Sequence, residues 1–291
     1  MKKSRFFYST ILSVAVTILA LLACSNDDDF SNEGILSKKL KAIHLEEVTY
    51  YTPNHGRRIM DYMVSYNDTG ELSKMEVTVL HLNSGSSYTD VYKIEVGVNS
   101  ISWGTSDKAL FDNERVTQIK TNHKDPSAYI FTYDSRGRLI EISLDGGYDD
   151  GECYRATWDG NNVRRIERIK SDGEIVEWTE YSYTSYPAGM LSCLFNFNPY
   201  CEFDFFDTIG ESAPFYTGLC GPLSQNLPSE KRSWSLYGQD GKGTENVNEI
   251  LTMNYSYTIG SSGYPTHVTI AGYDFFDSAE KRLDLDIIWE D

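Results

Sequence analysis

The residues of this chain best suited to chemistry are carboxylates, and the densest set is Asp145-Gly146-Gly147-Tyr148-Asp149-Asp150-Gly151-Glu152. Hard cations want clustered oxygen ligands, which makes Asp145, Asp149, Asp150 and Glu152 a candidate cation loop, although the spacing is not that of an EF-hand. Two such carboxylates across a cleft would also meet the needs of a glycoside hydrolase. The plainer reading is a solvated acidic turn. A second set, Glu202, Asp204 and Asp207, alternates with Phe203, Phe205 and Phe206, and Phe215 and Tyr216 follow closely. Carboxylates beside aromatic rings suit sugar hydroxyls, so these five aromatics are candidate ligand-binding residues. Here too a plainer reading is available, the edge of an apolar plug, and it is the one preferred.

Other reactive patterns are missing from the sequence. The histidines stand at 44, 55, 81, 123 and 267, with no two-histidine metal spacing on one element, and no Cys/His group has zinc spacing. Nucleophile-elbow, phosphate-loop and dinucleotide motifs are absent. The reading is therefore no metal, no cofactor and no assigned catalytic residue. Cys153, Cys193, Cys201 and Cys220 remain after Cys24 is set aside, and in an exported chain they allow three pairings among which sequence does not choose.

Export is read from the first residues. Lys2, Lys3 and Arg5 form a positive n-region, Ile11 to Leu22 a short apolar core, and Leu21-Leu22-Ala23 leads into Cys24. This is the pattern of a bacterial lipoprotein signal, cleaved before Cys24. A bilayer span needs about twenty apolar residues, more than this core supplies. Residues 1–23 are thus read as signal peptide and 24–40 as a lipidated cysteine with an acidic tether, Ser25-Asn26-Asp27-Asp28-Asp29 at its start. The acyl groups on Cys24 are the expected membrane contact, with no transmembrane span in the mature chain.

The formal charge is −17. Loss of Lys2, Lys3 and Arg5 takes it to about −20, and the basic residues are scattered, so nucleic acid is not an expected partner. The 21 tyrosines outnumber the 13 phenylalanines and 5 tryptophans. Tyrosine suits a half-buried sheet, with its ring packed and its hydroxyl near water.

These residues are carried by strands. Met60, Tyr62, Val64 and Tyr66 alternate on one face, as do Leu251, Met253, Tyr255, Tyr257 and Ile259. Further strand signals cover 74–82, 88–103, 115–121, 128–133, 138–144, 153–158, 163–170, 174–183, 231–237, 248–259, 264–275 and 282–289. Turns such as Tyr66-Asn67-Asp68-Thr69-Gly70 and Tyr133-Asp134-Ser135-Arg136-Gly137 join them as hairpins. Residues 41–291 thus read as a single all-β domain of about a dozen antiparallel strands in meander order. So many strands must curl strongly, as a curved sheet or open barrel, close, or split into two layers. Residues 196–230, with Pro199, Pro214, Pro222 and Pro228 among aromatics, interrupt the alternation as an irregular insertion.

The stretches FTYDSRGRLIEI (131–142), ATWDGNNVRRIERI (156–169), YTGLCGPLSQNLPSEKR (216–232) and YSYTIGSSGYPTHVTI (255–270) resemble a family of Bacteroidota lipoproteins, domain-of-unknown-function family 4595. The resemblance implies a porin-like β fold and carries no activity. The acidic run after Cys24 is similar to the signal that sends such lipoproteins to the cell surface, which implies an outer-membrane lipid anchor facing outward. The function expected is then a surface-exposed module that binds a glycan or an envelope protein. A hydrolase using the clustered carboxylates and a structural coat protein are the alternatives.

Overall fold

The computed structural model describes residues 39–50, 55–97, 99–103, 107–112, 115–120, 128–146, 151–192, 217–236, 250–274 and 279–290. All belong to one compact unit, Ile35–Asp291. Its first eight strands are β1 (Leu40–Tyr50), β2 (His55–Tyr66), β3 (Leu72–His81), β4 (Ser86–Val96), β5 (Ser100–Trp103), β6 (Asp107–Asp112), β7 (Arg115–Lys120) and β8 (Ala128–Tyr133). The next eight are β9 (Leu139–Asp145), β10 (Cys153–Asp159), β11 (Asn162–Ile169), β12 (Ile175–Pro187), β13 (Asn226–Ser235), β14 (Leu251–Ile259), β15 (Pro265–Asp274) and β16 (Ala279–Trp289).

Every strand pairs antiparallel with its neighbours in sequence, and β1 pairs with β16 from Leu40↔Trp289 to Tyr50↔Glu280, which closes the barrel. Closure removes the two edges that an open meander would leave unpaired. The expected meander is therefore found, with sixteen strands instead of about a dozen. Three additions account for the difference: β1, β6, and a break at Gly97 that divides the expected 88–103 strand into β4 and β5.

Alternation places apolar side chains inside. Ile43, Leu45, Met60, Tyr62, Val77, Ile142, Ile166, Val268 and Leu285 come from seven strands, yet all are nearly inaccessible to solvent and join one cluster. The outward positions between them carry His44, Glu46, Asp61, Asp284 and Asp286 near the closure, and Glu141, Arg155, Glu167 and Glu180 on β9–β12. A membrane barrel has the opposite sense, with its apolar band facing out toward lipid.

The two ends of the barrel differ. At one end an aromatic near the end of β2, β8, β10, β12, β14 and β16 donates to a backbone carbonyl near the start of the preceding odd strand. Tyr66 Oη reaches Leu40 O at 2.9 Å, Tyr133 Oη reaches Val116 O at 2.7 Å, and Trp158 Nε1 reaches Leu139 O at 2.9 Å. Tyr183 does the same to Val163, Tyr257 Oη to Pro228 O at 2.6 Å, and Trp289 Nε1 to Pro265 O at 2.7 Å. Six of the eight consecutive strand pairs are latched in this way. Burial pushes the phenols of Tyr133, Tyr183 and Tyr257 well above their ordinary pKa, so they remain donors.

In three of these latches the residue before the accepting carbonyl is a cation that covers the ring. Lys39 Nζ lies 4.8 Å from the Tyr66 centroid, Arg115 Cζ 5.7 Å from that of Tyr133, and Arg138 Cζ 5.2 Å from that of Trp158. Lys39 and Arg138 go on to donate to the carbonyls of Gly70 and Gly160 in the next turn. In a fourth latch Tyr264 takes the same place against Trp289, with ring centroids 5.1 Å apart.

The latched end is also plugged. Ala188, Met190, Leu191, Cys220, Leu223 and Ser224 are buried there. Leu219 O accepts from Val116 N at 2.8 Å, Ser224 Oγ accepts from Val163 N at 2.9 Å, and Gln225 N donates to Asn161 O at 3.0 Å. The cavity between Leu139, Trp158, Cys220 and Leu223 is about 10 Å³, room for about one water. The irregular insertion ends earlier than its sequence suggests, because 226–230 already belongs to β13.

Inward positions near the opposite end turn polar. Glu47, 6% exposed, accepts from Arg58 Nε at 2.7 Å and from Thr49 Oγ1 at 3.1 Å, with Lys281 Nζ 3.5 Å away. Arg168 makes a similar inward pair, its Nε donating to Glu152 at 2.8 Å with Glu177 at 3.7 Å from Nη1. Burial of these charges is offset by the pairing.

Candidate functional site

Of the acidic candidates, Asp145 ends β9 and Glu152 stands just before β10, while Asp149 and Asp150 lie outside the described residues. The Glu152 carboxylate is already held by Arg168. No group of three or more His, Cys, Asp or Glu side chains able to hold a metal occurs among the described residues. Cys24, Phe203, Phe205, Phe206, Phe215 and Tyr216 lie outside the described residues, as do Cys193 and Cys201. Cys153 is a free, half-buried thiol, and Cys220 is buried in the plug.

Strand register assembles two outward constellations that sequence spacing does not reveal. The first is on β11–β13. Arg165 and Glu167 share the outward face of β11, Glu180 and Trp178 that of β12, and Arg232 and Trp234 that of β13. Register sets them in two rows, Arg165–Glu180–Arg232 and Glu167–Trp178–Trp234. The indoles are nearly parallel, 18° apart with centroids at 6.4 Å, and Arg165 Cζ lies 4.7 Å from the Trp178 centroid. Both indoles are half-buried, in a wall whose other outward positions are mostly charged or hydroxylic.

Donors and acceptors are unevenly used in this block. Arg165 Nη1 donates to Glu180 at 2.9 Å, and its Nε approaches Glu167 to 2.8 Å without the alignment of a hydrogen bond. Both carboxylates are therefore engaged by the same guanidinium. Arg232 is exposed and forms no ion pair among the described residues, although it faces Glu180 across the strands. Arg164, exposed beside Arg165 at the β10–β11 bulge, is in the same position.

The second constellation crosses the closure of the barrel. Asp61 on β2, His44 on β1, Asp286 on β16 and His267 on β15 form one row of direct cross-strand neighbours. His44 Nδ1 lies 2.6 Å from Asp61 Oδ1, and His267 Nδ1 lies 2.8 Å from Asp286 Oδ1. The hydrogen bond to Asp61 is the largest cause raising the His44 pKa above its ordinary value, against a smaller opposing effect of burial. More than 200 residues separate the two histidines in sequence, so only the closure of the barrel could bring them together.

Strand order and burial together define a closed, internally packed antiparallel barrel. A porin-like protein from Bacteroides uniformis has a similar fold at a TM-score of 0.58, with 14% identity, over 86% of this chain and 96% of that one. Another porin-like protein, from Bacteroides vulgatus, aligns at a TM-score of 0.48 with 9% identity, over 84% of this chain and 97% of that one. No protein-family model and no curated protein sequence matches the chain. At these identities the likeness is one of fold.

Proposed function

We propose that this chain is a cell-envelope lipoprotein, held at the outer membrane by acyl groups on Cys24, whose barrel is a water-facing binding module for a glycan or another envelope component. One observation carries the reading of the barrel: its wall is apolar inside and charged outside. In the hydrocarbon layer that wall would bury the carboxylates and guanidiniums of its outward faces, at a cost of about 2–4 kcal/mol for each Arg or Lys near the midplane. In water the same wall is stable, and the internal packing leaves its outer face as the binding surface. The n-region, short apolar core and Cys24 supply the tether, and the block around Trp178 and Trp234 supplies aromatic surface with polar neighbours.

The test uses the full chain expressed in a Bacteroides host. Wild-type protein labelled with an alkyne analogue of palmitate should partition with outer membranes, and Cys24→Ala should be unlabelled and released in soluble form. Purified protein lacking acyl groups should stay monodisperse without detergent, give no conductance in planar bilayers, and be retained by members of a glycan array or by envelope proteins. Channel activity, or no retention in either assay, overturns the reading.

A further inference from the structure

We propose that the outward block of β11–β13 is a binding site for carboxylated sugars, with Trp178 and Trp234 carrying the pyranose ring and Arg232 and Arg164 receiving the carboxylate. The inference rests on the binding-module reading above and assigns its ligand class and residues. Indoles present an apolar surface suited to the C–H face of a sugar, and two of them on adjacent strands extend that surface beyond one ring. Different groups meet the ligand's hydroxyls and its charge. At this site Glu167 and Glu180 each face Arg165 and, with Glu230 two residues from Arg232 on the same strand face, keep lone pairs that can accept from sugar hydroxyls. Its guanidiniums at Arg232 and Arg164 are exposed and form no ion pair among the described residues, so the site has donors to spare. Arg232 is two residues from Trp234 on the same face of β13, close enough for one sugar unit to meet both side chains. A planar guanidinium binds a carboxylate through two parallel hydrogen bonds, the strongest arrangement available at an exposed site. In a chain of net charge −17, arginines without an ion pair among the described residues, beside half-buried tryptophans, are a local departure from the acidic surface, and they complement an anion.

Indole fluorescence and calorimetry on the full barrel would test this with oligogalacturonate and sialyllactose as probes. Methyl-esterified oligogalacturonate and lactose are the matched neutral probes. The acidic sugars should bind and shift indole emission, the neutral forms should bind about tenfold more weakly or not at all, and added salt should weaken binding. Arg232→Gln should reduce binding of the acids about tenfold and leave the neutral probes unchanged, whereas Trp234→Ala should weaken both classes. Arg232→Gln, at an exposed side chain, should leave the thermal midpoint unaffected, and Trp234→Ala should lower it only by the loss of the indole pair, which Arg232→Gln does not share. Equal binding of acid and ester, or acid binding unaltered in Arg232→Gln, overturns the ligand class while the binding-module reading stands. If the acids do not bind but the array or the envelope pull-down retains the protein, the site assignment alone is overturned. If every assay is negative, both fall.

Discussion

The Tyr133 hydroxyl donates to the Val116 carbonyl at 2.7 Å, while Arg115, the residue just before Val116, lies across the tyrosine ring. One side chain thereby ties the end of β8 to the start of β7 and anchors the cation over it. Tyr133→Phe keeps the ring and leaves a partly buried carbonyl without its donor, so unfolding free energy should fall by about 1–3 kcal/mol. Tyr186→Phe, at an exposed tyrosine on β12 outside the latch series, should change it by less than about 0.5 kcal/mol. Urea denaturation of both variants checks the contrast. Equal effects would mean that the repeated latch adds nothing specific.

The turn glycine belongs to the same device. Gly137 has φ 74°, and a Cβ there would collide with the Arg115 guanidinium. Gly173 has φ 89° with no atom within 4 Å of the corresponding position. Gly173→Ala should therefore cost only the left-handed strain, about 1–2 kcal/mol, and Gly137→Ala should cost more because Arg115 must also leave its ring. Thermal midpoints of the two variants, measured side by side, separate strain from displacement. The same argument predicts that Arg115→Ala relieves part of the Gly137→Ala defect.

Inside the opposite end, Glu47 is the carboxylate shared by Arg58 and Lys281. Glu47→Leu removes a carboxylate from buried Lys281 and half-buried Arg58 and should destabilise the barrel by about 1–3 kcal/mol. Replacing all three with Leu, Met and Met should recover most of that loss, because the desolvated charges are removed together. Chemical denaturation of the single and triple variants checks this. A triple variant no more stable than the single one would show that the pairing itself, and not relief of stranded charge, sets the cost.

The same glutamate explains why part of the fold was hard to read. In β1 the inward positions are Ile43, Leu45, Glu47 and Thr49, with Val48 facing outward, so the apolar alternation of this strand fails halfway along. Its strand character is visible only once Arg58 and Lys281 are known to stand beside it. Pro228 hid the start of β13 for a related reason: proline interrupts a strand pattern, yet here it sits at a register shift, where its missing N–H is tolerated. By contrast, the alternation of β14, of β2 from Ile59 and of β16 from Arg282 was legible, including the outward Ile288 that breaks the pattern of the last strand, whereas the first residues of β2 and β16, with inward Arg58 and Lys281, were not. The aromatic hairpins were legible as turns, but their carbonyl partners were not. Nor were the Trp178–Trp234 and His44–Asp286–His267 neighbours, because register between strands is set by the whole barrel. No local spacing encodes it.

The closure row gives stability a pH dependence with a definite sign. His44 faces Asp61 on β2, Asp286 on β16 and Glu46 on its own strand, and its pKa is raised above the ordinary 6.5, first by the hydrogen bond to Asp61. Raising the folded-state pKa means that the folded chain holds the proton more tightly than the unfolded one. The stabilisation is complete below the unfolded value of about 6.5 and disappears as pH rises through the higher folded value. Wild type should therefore exceed His44→Asn in urea midpoint most clearly in mildly acidic buffer, with the gap narrowing as the solution becomes alkaline. Added salt should narrow it as well, since both partners of the closest pair are exposed. The comparison must be made between wild type and variant at each pH, because the other carboxylates of this acidic chain impose their own slope on both proteins. A gap that widens with rising pH would mean that His44 contributes as a neutral packing residue and that the charge row does not fasten β1 to its neighbours.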